Sequence, residues 1–386
     1  LNTELLKQKF EELYGKGEIR IFHSPGRVNL IGEYTDYNGG YVFPCALDFG
    51  TFGLIRKRND SRLNLASTNF ELKVTCDVDD IKFKAEDDWA NYPKGVIKIM
   101  KEKGFSIGGM DILVSGNIPN GAGLSSSASL EILIGVMVNN IFNNSSIDRI
   151  ELVKIGQEAE NKFVGVNCGI MDQFAVGMGR KNKAVLLDCG TLQYKYMDVN
   201  LGCYTLVIMN TNKRRALNES NYNVRRAECE EALKALRTGK PIDNLCDLMP
   251  EEYEKLEHLI EKENVRKRAR HAVYENSRVK SAFNYLNEGK IHEFGELLNK
   301  SHESLRDLYE VTGKELDAIV EEALKVKGCI GARMTGAGFG GCAIALVHKD
   351  AIECFKAQVS ENYKTRTGYD AEFYLSGIGE GTEEIM

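Results

Sequence analysis

An α+β fold in two domains is what the order of segments along this chain predicts. Strand-like and helix-like stretches come in runs rather than in strict βαβ alternation, which separates α+β from a doubly wound parallel sheet. The 386 residues, taken at roughly 150 residues per domain, make two units the default. No repeat with a period of about 20–50 residues and no low-complexity stretch is present, so solenoids and propellers are excluded.

The elements follow in order. The charged start LNTELLKQKFEEL places Leu5, Leu6, Phe10 and Leu13 on one stripe, reads as an amphipathic helix, and lacks the apolar core of a secretory signal. β-Branched and alternating segments predict strands over 19–23, 41–47, 51–58, 62–67, 71–76 and 110–115. Helical spacing of Leu130, Leu133, Ile134, Met137, Val138 and Ile141 predicts a helix over 125–142, followed by one over 149–163 and strands over 184–188 and 204–209. The later half is helix-rich, with helices predicted over 221–237, 250–261, 266–287, 291–309 and 314–327. It closes with strands over 331–335 and 342–347, a helix over 351–365 and a strand over 371–375. The change from strand-rich to helix-rich sequence divides the chain near 190–203, giving domains 1–195 and 196–386.

Composition excludes several function classes. Lys plus Arg number 50 and Asp plus Glu 56, a net charge of −6, which disfavours nucleic acid or an anionic membrane as the main partner. The apolar run from Cys342 to Val347 has six residues, far short of the ~18 that a membrane span needs. Ten cysteines are scattered without a CxxC pair, the usage of reduced, mostly buried thiols, so a cytoplasmic protein is expected. The six histidines form no HxH or HExxH, so no zinc site is written locally. The basic run RKRARH, Arg266 to His271, lies among Glu261, Glu263 and Glu275 and is expected on a solvated helix face.

Four stretches carry chemistry. In NIPNGAGLSSSASLE, Asn117 to Glu131, glycines bend the chain between a strand and a long helix, and serines crowd the helix start. Free N–H groups and the helix dipole make such a start an anion site. With no Gly-Lys-Ser/Thr it is a phosphate cradle of another kind than a Walker A loop. In SPGRVNLIGEYTDYNGGYVFPCAL, Ser24 to Leu47, Glu33 and Asp36 can accept hydrogen bonds from a polyhydroxylated ligand, and Arg27 can face a transferring phosphoryl group. In QEAENKFVGVNCGIMDQF, Glu160 and Asp172 supply one carboxylate for a metal and one beside a nucleophile, as Mg²⁺-assisted phosphoryl transfer requires. The fourth, RMTGAGFGGCAIALV, Arg333 to Val347, is a glycine-rich turn between strands.

Taken in order, GRVNLIGEYTDYNGG, PNGAGLSSSAS and MTGAGFGGC resemble the motifs of the galactokinases, within the larger family of galactose, homoserine, mevalonate and phosphomevalonate kinases. The resemblance runs from about residue 20 to 376. It implies a two-domain sugar-kinase fold with a mixed sheet and helices in each lobe and the active site in the cleft between them. It implies transfer of the ATP γ-phosphoryl group to the anomeric hydroxyl of α-D-galactose, with Mg²⁺. On matching positions, Asp172 looks like the catalytic carboxylate and Arg27 like its partner. Glu33, Tyr34, Thr35, Asp36, Gly169, Asp172 and Tyr222 look like sugar contacts. The segment Gly121, Ala122, Gly123, Leu124, Ser125, Ser126 and Ser127 looks like the phosphate loop, Ser127 and Glu160 like Mg²⁺ ligands, and Trp89 like part of the adenine pocket. A monomer is expected. One departure stands out: the family usually reads GEHTDY, and here Tyr34 replaces the histidine. That swap leaves open a related acceptor such as N-acetylgalactosamine or arabinose. A non-catalytic galactose and ATP sensor is disfavoured by the intact SSSAS, Arg27 and Asp172.

Overall fold

The computed structural model describes residues 2–119, 122–213 and 218–385, apart from the side chains of 218–220. Its α+β class is the one the order of segments predicts, and its sheets and helices form two lobes. In the first lobe, α1 (Thr3–Tyr14) leads to β1 (Arg20–Asn29), β2 (Tyr41–Val42), β3 (Pro44–Lys57), β4 (Arg62–Ser67) and β5 (Val74–Asp77). There follow α2 (Asn91–Glu102), β6 (Met110–Gly116), α3 (Ser126–Phe142), α4 (Arg149–Ala159), α5 (Met171–Met178), β7 (Lys183–Asp188) and β8 (Tyr194–Asp198). The second lobe begins with β9 (Tyr204–Asn210) and continues through α6 (Asn218–Leu236), α7 (Pro250–Leu256), α8 (Glu263–Asn287), α9 (Ile291–Ser304) and α10 (Gly313–Lys325). It ends with β10 (Cys329–Met334), β11 (Cys342–His348), α11 (Ile352–Thr367) and β12 (Glu372–Leu375), after which β13 (Glu383–Glu384) rejoins the first lobe.

The main sheet of the first lobe runs β13-β1-β3-β6-β4-β5, with a small β2-β7-β8 sheet beside it, and the second lobe is built on β10-β11-β9-β12. Neighbours in the main sheet are antiparallel except β4 with β6. α3 is apolar nearly all round because β1 and β3 cover one side of it and α2, α4 and α5 the others. That all-round burial is what an uninterrupted run such as LEILIGVMV requires. A third group of apolar side chains ties the lobes together: Val28, Phe43 and Leu124 from the first pack with Ile208, Phe294 and Leu346 from the second.

The structure departs from the sequence reading at several elements. The strands expected over 41–47 and 51–58 are one long strand, β3, preceded by the short β2. The helix α2 and the strand β8 were not expected at all. The last strand, β13, returns to pair with β1 in the first sheet. The RKRARH run is not a solvated face: Arg268 is 2% exposed and His271 fully buried. Three residues apart, they share the inward side of α8 with Val265 and Ala269. Each is matched there: Arg268 bonds Glu228 at 2.8 Å and Glu310 at 2.7 Å, and the His271 ring lies between Ser304 Oγ and the Glu33 carbonyl. Burial lowers the His271 pKa to about 4, so the neutral ring donates to Glu33 and accepts from Ser304.

Candidate active site

A β-bulge sets the centre of the site. The register of β1 against β3 shifts between Pro25 and Arg27, and such a bulge re-aims the side chain that follows it. Gly26 sits where an added Cβ would lie 2.9 Å from the Leu124 carbonyl, so only glycine lets β1 approach the serine-rich loop this closely. Arg27 N–H donates to Leu124 O at 3.1 Å, and its Nη1 donates to Gly123 O at 2.8 Å. The rest of the guanidinium grips Asp172 at the start of α5, with Nε to Oδ1 at 2.8 Å and Nη2 to Oδ2 at 2.6 Å. This paired, parallel geometry is the strong form of an arginine–carboxylate contact. Ser125 Oγ donates to Asp172 Oδ2 as well. Ser125 stands just before α3 with φ 62°, a strained backbone for serine. Its hydroxyl makes no cap on its own helix and turns to Asp172 instead.

These residues line one side of a cavity of about 260 Å³, whose other walls come from the first motif, the 166–172 segment, α6 and the third motif. Glu33 is 1% exposed. It accepts from Asn29 Nδ2 and Arg333 Nη2, both at 2.7 Å on Oε2, and from Gly336 N at 2.7 Å on Oε1. Burial pushes its pKa up against these donors. Asp36 is raised further, to about 6, first by burial and then by the Asp172 charge, against backbone donors at Tyr37 and Met171. Gly169 packs on Asp36 so closely that a Cβ there would overlap the carboxylate. Tyr34 has φ 68°, donates its hydroxyl to Ala337 O at 2.5 Å, and packs on Tyr309 and Tyr222 with ring centres 4.5 and 5.6 Å apart. Tyr222 completes this wall from α6.

Thr35 is a correction. It is wholly buried, and its hydroxyl turns to the Gly32 and Tyr41 carbonyls at 2.9 and 2.8 Å rather than into the cavity, so it ties the loop together. Ala122 and Leu124 are likewise core side chains, leaving only their backbone to the loop surface. Gly121 lies outside the described residues.

Ser126 and Ser127 belong both to this cavity and to a second one of about 180 Å³ lined by Phe70, Trp89, Tyr92 and Ile118. Trp89 stacks on Phe70 with ring centres 6.4 Å apart, and its indole N–H is buried without a partner. Glu160 opens a π-turn (Glu160–Val164) at the end of α4, the kind of local irregularity that recurs at functional sites. It lines the cavity beside Ser127 and accepts from Gln173 Nε2 at 2.7 Å, and its pKa is raised to about 7, first by burial and then by Asp172. Sequence reasoning missed Asn29, Glu131, Gln173, Tyr309, Arg333 and Ala337. All but Tyr309 lie inside the four stretches singled out above, but no role was given to them; nothing local marks Tyr309.

Comparison with known proteins places the chain in a family. The galactokinase galactose-binding signature matches residues 8–57, the stretch that supplies Arg27 and the Glu33–Asp36 wall. The GHMP kinases N terminal domain matches residues 91–180 and the GHMP kinases C terminal residues 282–365, so the serine-rich loop, Asp172 and the third motif each fall inside a family match. A mevalonate kinase structure from Methanococcus jannaschii, 20% identical, covers 94% of this chain and 99% of its own with a TM-score of 0.66, and shares the fold. The structure of Lactococcus lactis galactokinase complexed with galactose superposes with a TM-score of 0.97 at 50% identity, over 99% of this chain and 100% of the other. A galactokinase of Clostridium tetani is 62% identical over 385 residues, which is 100% of this chain and 98% of that protein. With the specific signature, the shared fold and full-length identity in agreement, the chain belongs to the galactokinase family.

Proposed function

We propose that the chain transfers the γ-phosphoryl group of ATP to the anomeric hydroxyl of α-D-galactose, releasing galactose 1-phosphate and ADP. The observation that carries this reading is the placing of Asp172. It stands where the cavity of Glu33, Asp36 and Tyr222 meets the serine-rich loop, gripped by Arg27 and Ser125. The likeness to a galactokinase solved with galactose supports the sugar.

In the forward step the anomeric oxygen forms a bond to the γ-phosphorus, the bond from that phosphorus to the β,γ-bridging oxygen breaks, and the proton of the anomeric hydroxyl is taken up by Asp172. The paired grip of Arg27 fixes the Asp172 carboxylate in place. Phosphoryl transfer through a loose transition state depends mainly on position and charge, so Asp172 acts first by orienting the hydroxyl. Arg27 also offers fixed positive charge where the equatorial oxygens gather charge. Glu33 is held by Arg333 and Gly336 as a preset acceptor, and Asp36 is a second acceptor for sugar hydroxyls. The N–H groups at the start of α3 bind phosphate, and the Trp89 cavity lies on the continuation of that loop, where adenine fits.

The donor set at Glu160 suits a hard divalent cation: a carboxylate and the Ser127 hydroxyl line the same cavity beside the phosphate loop. Ser127 and Glu160 would hold Mg²⁺, which when bound neutralises phosphate charge.

The test is ADP release with Mg²⁺ and ATP over a sugar panel that includes galactose, N-acetylgalactosamine, arabinose and glucose. Turnover is expected to be fastest on galactose. Asp172→Asn is expected to lose at least about a hundredfold in kcat, the scale of a positioned proton acceptor, while still binding galactose. Retention of a tenth of the rate would sink the role given to Asp172, and preference for another sugar would move the specificity question to Tyr34.

A further inference from the structure

Behind Glu160 lies an arrangement that the reaction as written does not use. Gln173, the residue after Asp172 on α5, is completely buried. Its Nε2 donates to Glu160 Oε2 at 2.7 Å and to Glu131 Oε2 at 2.9 Å. A primary amide has two N–H donors, and here each goes to a carboxylate on a different helix, Glu131 on α3 and Glu160 at the end of α4. Glu131 is also fully buried. The amide between the two side chains supplies the donors that keep both in place.

Two further features show that the bridge is held at a cost. Among the described residues, Gln173 Oε1 and Glu131 Oε1 are buried with no hydrogen-bond partner, and each such orphan is destabilising. An apolar trio would pack the three helices without that cost. Room for the bridge comes from Gly156, one turn before Glu160 on α4, where an added Cβ would lie 3.2 Å from Gln173 Cγ and 3.5 Å from Glu131 Cβ. A glycine inside a helix is itself unfavourable by about 1 kcal/mol relative to alanine.

We propose that Gln173 is the positioning residue of the metal site, fixing the Glu160 carboxylate toward the phosphate loop by bridging it to Glu131. The inference rests on Glu160 being a Mg²⁺ ligand in the reaction above. On this reading adjacent residues of α5 serve the two ends of the transfer: Asp172 faces the acceptor hydroxyl, and Gln173 sets the carboxylate that receives the cation. Partners that orient a metal ligand commonly govern metal affinity by about ten- to a hundredfold.

Gln173→Met keeps the length of the side chain and removes both donors. Binding of Mn²⁺ with a non-hydrolysable ATP analogue, followed by electron paramagnetic resonance, is expected to weaken about ten- to a hundredfold. The Mg²⁺ concentration for half-maximal turnover is expected to rise in parallel, while galactose affinity stays at the wild-type value and kcat recovers at saturating Mg²⁺. A lesion that is merely structural would lower galactose affinity and kcat together. Gln173→Asn, one methylene too short to reach both carboxylates, gives a second folded variant with the same expected shift. Wild-type Mn²⁺ affinity in either folded variant overturns the inference alone. A wild-type protein that takes up no Mn²⁺ with the nucleotide analogue overturns the metal assignment along with it.

Discussion

Tyr34 carries a left-handed backbone, a hydrogen bond to the third motif and contacts to three other tyrosines, Tyr37, Tyr222 and Tyr309, all at one position in the cavity. The phenol reaches the Ala337 carbonyl, so the replacement of histidine adds a clasp between first and third motifs. Tyr34→Phe is expected to lower stability by about 1 kcal/mol. It is also expected to raise the galactose KM by no more than about fivefold, the same energy expressed as affinity, with the ATP KM unchanged; chemical denaturation and steady-state kinetics check both. Asp36 makes a separate prediction. Its folded-state pKa of about 6 lies above the ordinary carboxylate value because of burial and the nearby Asp172 charge. A carboxyl raised in this way costs stability as pH rises toward and through about 6 and costs nothing in strong acid. Sugar hydroxyls bond best to the ionised form, so galactose affinity, measured without nucleotide or metal, is expected to fall below pH 6 by up to about tenfold per unit. Asp36→Asn is expected to bind weakly and to flatten that profile. Arg27, Asp36, Glu160 and Asp172 were legible as chemistry because charged residues among glycines and serines rarely serve packing. Thr35 was misread because its partners are the Gly32 and Tyr41 carbonyls, whose positions depend on the path of the whole loop. Gln173 was invisible for a similar reason: its meaning comes from α3 and α4, not from its neighbours in sequence.

At the scale of elements, strength of periodicity decided what could be read. α3 was plain because an unbroken apolar run follows a serine-rich start. α2 was hidden behind Pro93 and Gly95 near its start, although Val96, Ile97, Ile99 and Met100 are buried in the core. The single strand β3 read as two because Asp48 and Gly50 interrupt it, and a short sheet-edge strand such as β8 has too few residues to declare itself. The α8 run shows charge misread as surface. Arg268 and His271 point inward at helical spacing, where Glu228, Glu310, Ser304 and the Glu33 carbonyl meet them. His271 thereby links a helix of the second lobe to the backbone of the sugar loop, a connection that no pattern within α8 announces.

For the whole molecule, the α+β class and two-lobe plan followed from the order of runs, and the three motifs from three distant parts of the chain do meet around one cavity. We place the change of lobe between β8 and β9, at residues 199–203, with the final residues returning to the first lobe. The lobes share the apolar group around Val28, Phe43, Ile208 and Leu346, and large apolar contact between units makes them unfold together. Scanning calorimetry is therefore expected to give one endotherm, with van't Hoff and calorimetric enthalpies in agreement; two resolved endotherms would show that the shared core does not couple the lobes. The return of the last strand bears on how the protein is made. Glu384 grips Arg20, 364 positions earlier, and Ile385 N–H bonds the Ile21 carbonyl. While the intervening residues are being translated, the outer side of β1 has unpaired N–H and C=O groups beside Phe22, the exposed edge on which nascent chains aggregate. The strand carrying Arg27 is thus sealed only once residues 383–385 have been made, so the first lobe, though begun before the second, is completed after it.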